Sequence, residues 1–79
     1  MNLVIISTTE SQEFQVVWME ANTPEGSFII QPNHTPTTFV LSPGKEFVCR
    51  YKTGKQETRI LKMGGILHVT RKESRLLIC

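Results

Sequence analysis

Two histidines, His34 and His68, two cysteines, Cys49 and Cys79, seven glutamates and no aspartate are all that a reaction could draw on in these 79 residues. A serine or cysteine nucleophile needs a base within hydrogen-bond reach and a third group to orient that base. Ser27 lies seven residues from His34, and no third member stands near either of them. The glutamates are scattered, and no two of them form an acid and base couple. The histidines lack the HxH or HxxxH spacing of a metal site, and the cysteines stand thirty apart without a CxxC pair. These residue types predict no catalysis, no metal and no cofactor. The cysteines read as small buried or terminal thiols, a usage that fits a reducing compartment.

The stretch with the most specific chemistry is EGSFIIQPNHTP, Glu25 to Pro36. It is not a phosphate loop, because it holds a single glycine and no helical pattern follows. It reads instead as a stiff corner. Pro32 and Pro36 fix φ, while Gly26 and Asn33 are the residues able to take a positive φ. A loop that is rigid before a partner arrives loses little entropy on docking.

The elements that must hold this corner are strands. Short runs of β-type residues alternate with turn residues about every eight to twelve positions, with no internal repeat and no helical stretch. The expected strands are Leu3–Ser7, Phe14–Glu20, Ser27–Ile30, Thr37–Leu41, Lys45–Lys52, Gln56–Met63, Ile66–Thr70 and Arg75–Cys79. Between them lie TTESQE, ANTPEG, QPNHTP, SPG, KTGK and RKES. In the fifth run Phe47, Cys49 and Tyr51 share one face, with Glu46, Arg50 and Lys52 opposite. Gly44 and Gly54 serve turns, and Gly64-Gly65 permits a sharp bend or a close approach of two strands. Phe28, Ile30 and Trp18 are expected in the core, and His68 is expected to be a satisfied structural histidine. The fold class predicted is all-β: a small antiparallel β-sandwich or flattened barrel of about eight to ten short strands, one domain over residues 1–79.

Composition bounds the remaining classes. The chain is 39% apolar and 20% charged, ordinary for a globular domain. Its longest apolar runs are four residues, too short to cross a bilayer as a helix, and no basic segment precedes Leu3 as a signal peptide would require. Net charge is +2, split unevenly: −4 over residues 1–44, which hold no Lys or Arg, and +6 over residues 45–79. Either half could dock a charged partner. The basic half raises an alternative, an OB-like barrel that binds single-stranded nucleic acid through Arg50, Tyr51, Lys52, Lys55, Arg59 and Lys62. Against it, one aromatic is a thin stacking platform, and the proline corner sits in the acidic half, where a phosphate backbone is repelled.

The chain as a whole resembles the N-terminal β-sandwich domain of the epsilon subunit of F-type ATP synthases, called delta in mitochondria. Members share an opening Leu/Val/Ile-rich strand, a Phe-containing strand and a loop reading roughly EGxxGIxPGHAP. A Leu-x-Pro-Gly turn, a charged hairpin and a GG-initiated strand follow. Their counterparts here are Leu3–Ser7, Phe14–Glu20, Glu25–Pro36, Leu41–Gly44, Lys45–Met63 and Gly64–Val69. Two features depart from the pattern. The family's glycine after the Phe is replaced within Phe14-Gln15-Val16, and Asn33 stands where Gly is preferred. The family's C-terminal helical hairpin has no counterpart after Cys79, so its inhibitory role is not implied. What the resemblance implies is a non-catalytic central-stalk subunit that links the gamma subunit to the membrane c-ring. Glu25, Ser27 and His34 would face that ring, and membrane association would come only through the complex, on the cytoplasmic face of an energy-transducing membrane. It implies neither a cofactor nor nucleic acid.

Overall fold

The structure is a computed structural model and describes residues 1–79. Eight strands form: β1 (Asn2–Ile6), β2 (Ser11–Thr23), β3 (Gly26–Ile30), β4 (Thr37–Leu41), β5 (Lys45–Tyr51), β6 (Gln56–Leu61), β7 (Gly65–Val69) and β8 (Glu73–Ile78). There is no helix, so none is long and apolar enough to cross a membrane. The all-β expectation holds.

The strands make one curled sheet in the order β4-β7-β8-β1-β2-β5-β6, with β3 attached to β2. Folding over places two layers face to face. One is β4-β7-β8-β1 with the first half of β2; the other is β3, the second half of β2, β5 and β6. All pairs are antiparallel except β1 with β8, which run parallel.

β2 is the strand that makes this possible. At 13 residues it is far longer than its neighbours. Its first residues, Ser11 to Gln15, pair with β1; Val16 to Glu20 pair with β5 on one side, and Met19 to Thr23 pair with β3 on the other. A register shift between Val16 and Trp18 inserts one extra residue, Val17. Such a bulge bends a strand and sharpens its twist. It also carries Val16 and Met19, three apart, onto the same buried side.

Inward-facing residues form one core cluster of 14, in which Leu3, Met19, Ile30, Phe47, Leu67, Val69 and Leu76 are fully buried. The expected face of β5 is present: Phe47 and Cys49 are buried and Tyr51 is half-buried. Burial also raises the Cys49 thiol above its ordinary pKa, ahead of the nearby Glu57 charge. That thiol is therefore kept protonated, while Cys79 is exposed.

Two core expectations need correction. Trp18 is only half-buried, because the bulge turns it to the outer face opposite Arg50 and gives the core position to Met19. Phe28 is 40% exposed, because β3 is bounded by β2 alone and no further strand covers its outer side.

Candidate functional site

The proline corner is built by local chemistry. Gln31 to His34 form a β-turn closed by the His34 N–H donating to the Gln31 carbonyl at 3.2 Å. Pro32 occupies the second position, where its φ is pre-set, and Asn33 takes φ of 65° at the third. That combination is the signature of a type II turn. Asn33 thus performs the glycine's part, as a side chain tolerant of the left-handed region does. The Arg71 guanidinium reaches the Asn33 carbonyl at 3.5 Å and ties the corner to the β7–β8 turn.

His34 is half-buried, with its ring 6.1 Å from that of Phe39, which in turn lies 5.4 Å from Phe28. Its Nδ1–H donates to the Thr35 carbonyl at 2.7 Å, which leaves Nε2 to meet a partner. Ser27 is exposed on β3, and its hydroxyl donates to Glu20 at 2.7 Å. Glu25 sits at the tip of the two-residue β2–β3 turn, which Thr23 holds by accepting the Glu25 N–H at 3.1 Å and donating to the Gly26 carbonyl at 3.0 Å. The Glu25 carboxylate makes no ion pair.

The structure does not gather these three residues at one point. Glu25 and His34 flank opposite ends of β3, with Ser27 between them. What they share is a ridge: an exposed edge strand with a turn at each end. Gly26 supports one turn with φ of 127° and Gly44 another, at the β4–β5 connection, with φ of 75°. Gly64 takes φ of 73°, and a Cβ there would meet the Leu41 carbonyl oxygen at 2.5 Å. Gly65 has ordinary φ and belongs to β7, but a Cβ on it would come within 2.7 Å of the Leu77 carbonyl oxygen. Of the two readings offered for this pair, the close approach is the one Gly65 satisfies.

His68 lies exposed on β7, where Thr38 Oγ1 is 3.0 Å from its Nδ1. Sequence reasoning missed a second surface beside it. Val40, Ile66 and Leu77 stand opposite one another on β4, β7 and β8 and form an exposed apolar row. Alternation in TTFVL, GILHV and ESRLLI carries this signal, since each strand has an apolar residue out of phase with its buried ones.

The basic residues of β5 and β6 do not form an open stacking platform. Tyr51 packs on Phe14 with ring centroids 5.3 Å apart, and its hydroxyl donates to Glu57. Arg59 pairs with Glu57 at 2.8 Å. Burial, then the bond to Glu57, pushes the Tyr51 pKa up to about 12 from the usual 10.0. Because the folded value lies above the unfolded one, this stabilisation is complete below pH 10 and fades as pH rises through about 12. An ultraviolet phenolate titration of this single tyrosine should therefore show a midpoint near 12. A midpoint at the ordinary value would mean that neither the burial of Tyr51 nor its bond to Glu57 holds in solution.

No three His, Cys, Asp or Glu side chains come together as a metal site would require. Comparison with curated protein sequences gives no match. Among solved structures, a chain of the Euglena gracilis mitochondrial ATP synthase OSCP/F1/c-ring assembly superposes with a TM-score of 0.83 at 22% identity. It matches over 96% of this chain and 48% of its own length. A chain of the Tetrahymena thermophila mitochondrial ATP synthase central stalk and c-ring gives 0.76 at 20% identity, over 99% of this chain and 62% of its own. At such identities the likeness speaks for the fold. The sequence itself matches the profile of the "ATP synthase, Delta/Epsilon chain, beta-sandwich domain" over residues 1–78, and the chain belongs to that family.

Proposed function

We propose that this chain is the sandwich domain of a non-catalytic central-stalk (epsilon) subunit of a rotary F-type ATP synthase. In this reading it sits between the gamma subunit and the membrane c-ring and helps couple proton flow to ATP synthesis. The ridge from Glu25 through Ser27 to His34 meets the ring. The subunit is peripheral, held at the cytoplasmic face of the energy-transducing membrane by its partners, and needs no cofactor.

The observation that carries this reading is the family match over residues 1–78 together with a pre-formed ridge. The role asked of such a part is mechanical. A close-packed interior deforms little under load, and a corner fixed by Pro32, Asn33 and Pro36 holds its shape before contact. The test is reconstitution. The chain should co-purify with its gamma subunit in a stoichiometric complex, and a chain that ignores full-length gamma would overturn the reading.

The corner makes its own prediction. Replacing Pro32 and Pro36 together by alanine should leave the sandwich folded. It should weaken assembly onto the membrane sector several-fold, since each proline removes about 0.4–1 kcal/mol of chain entropy in advance. Equilibrium binding of the variant to ring-containing membranes measures this. Unchanged binding would show that preorganisation of the corner does not matter.

A further inference from the structure

The ends of the sheet differ in how they are closed. β6, at one end, is guarded in the usual way, by the Glu57–Arg59 pair and by Lys62 beside it. β4, at the other, is tied at its end, because the Ser42 N–H donates to the Asn22 carbonyl at 2.9 Å. β3, GSFII, has neither device. It carries no charged residue, and four of its five positions are exposed, with Ile29 at 53%.

The backbone of β3 can be followed atom by atom. In this part of β2 the Asn22 carbonyl points away from β3, toward Ser42. Main-chain groups alternate sides along a strand, so Met19, Ala21 and Thr23 turn toward β3 and bond to Ile30, Phe28 and Gly26, their register partners. The N–H and C=O of Ser27 and Ile29 therefore point away from the sheet. No turn, loop or side-chain hydrogen bond in the molecule uses them. Two donors and two acceptors stand in line on an uncharged strand with an exposed phenylalanine and isoleucine.

We infer that the β3 edge accepts an extended strand from a neighbouring subunit, bonded through the N–H and C=O of Ser27 and Ile29. Side chains and charge state which strand fits. The incoming segment is about five residues long, to match β3. It is uncharged where it lies beside Phe28 and Ile29, because a charge there would be desolvated without a partner. Toward the β2–β3 turn it carries Lys or Arg, because Glu25 stands at that turn, the Glu20 carboxylate, from a residue opposite Ile29, reaches back to Ser27, and residues 1–44 contain no basic residue to neutralise either. The inference rests on the stalk reading for the source of the strand.

The test uses the full chain assembled with its stalk partners, and amide hydrogen exchange in free and assembled protein. The Ser27 and Ile29 amides should slow on assembly, while Phe28, already bonded to β2, changes little. Ile29→Pro removes one of the free N–H groups without touching a β2–β3 bond, and should weaken assembly about tenfold or more. Ile29→Val keeps the N–H and should bind as the parent chain does. Unchanged exchange at Ser27 and Ile29 in a complex that does form would overturn the inference and leave the stalk reading standing. So would Ile29→Pro binding within about twofold of the parent. Slowed exchange caused by self-association of the free chain would overturn it too. A parent chain that never enters the stalk complex overturns the stalk reading first. Exchange in the unsubstituted chain gives the answer even if the proline variant fails to fold.

Discussion

Replacing Phe47 by alanine should remove about 3–5 kcal/mol of stability. Phe47 is the largest fully buried side chain, on the central part of β5 between β2 and β6. A domain of 79 residues has only about 4–12 kcal/mol in total, at roughly 0.05–0.15 kcal/mol per residue. The loss has two parts, the transfer of the ring to water in the reference state and the cavity left behind. β5 is hydrogen-bonded on both sides and cannot collapse into that cavity. The variant should be partly unfolded at room temperature or melt far below the parent in a thermal scan followed by Trp18 fluorescence. A melting temperature within a few degrees of the parent would mean that the core repacks more freely than its strand pairings allow.

Gly64→Ala should cost about 3 kcal/mol or more, from two additive causes. The residue holds φ of 73°, where a Cβ costs about 1–2 kcal/mol. In addition, the new atom would lie 2.5 Å from the Leu41 carbonyl oxygen, which is main chain and cannot rotate aside. Gly54→Ala is the matched control, since Gly54 also has a positive φ, 97°, but open space around its would-be Cβ. Urea unfolding of the two variants separates strain from contact. Equal midpoints would show that the Leu41 clash is relieved without cost.

Most of the sheet was legible in the sequence because its signal is local. Turn chemistry places the breaks at Pro24-Glu25, Pro32-Asn33, Pro43-Gly44 and Gly54, and β5 keeps Phe47, Cys49 and Tyr51 on one face, although Val48 between them is buried as well. The ends of β2 were not legible. Its polar leading residues, Ser11 to Glu13, look like a turn until β1 is placed beside them, since backbone pairing with Ile6, Ile5 and Val4 takes no account of side-chain polarity. At its other end Asn22 and Thr23 belong to a two-residue hairpin with Ser27 and Gly26, where the sequence reads as a longer break.

Long-range facts were the remaining omissions. A one-residue bulge at Val17 shifts which of Val16, Val17, Trp18 and Met19 faces inward, and an apolar run gives no phase by which to choose. The parallel β1–β8 pair joins residues more than seventy apart and leaves no trace in any window. Phe28 looked like core because it is aromatic within an apolar run; that its strand is an edge is a property of topology. Glu25, Ser27 and His34 were expected to share one ring-facing edge with a strand at Ser27–Ile30 between the outer two, and that strand spreads them along a ridge. The turn at Pro32-Asn33, in contrast, was legible from residue types, a proline that fixes φ followed by an asparagine able to take φ above zero.

A single uninterrupted chain segment, β2, belongs to both layers of this sandwich. Sliding one layer over the other would therefore require stretching covalent bonds or straightening the kink at Val17, where most two-layer proteins need only shear side-chain contacts. A pull applied at β3 reaches the opposite layer through peptide bonds, with little compliance along the way. In the stalk role proposed above, such a spine would keep angular lag small even when the core itself is only modestly stable.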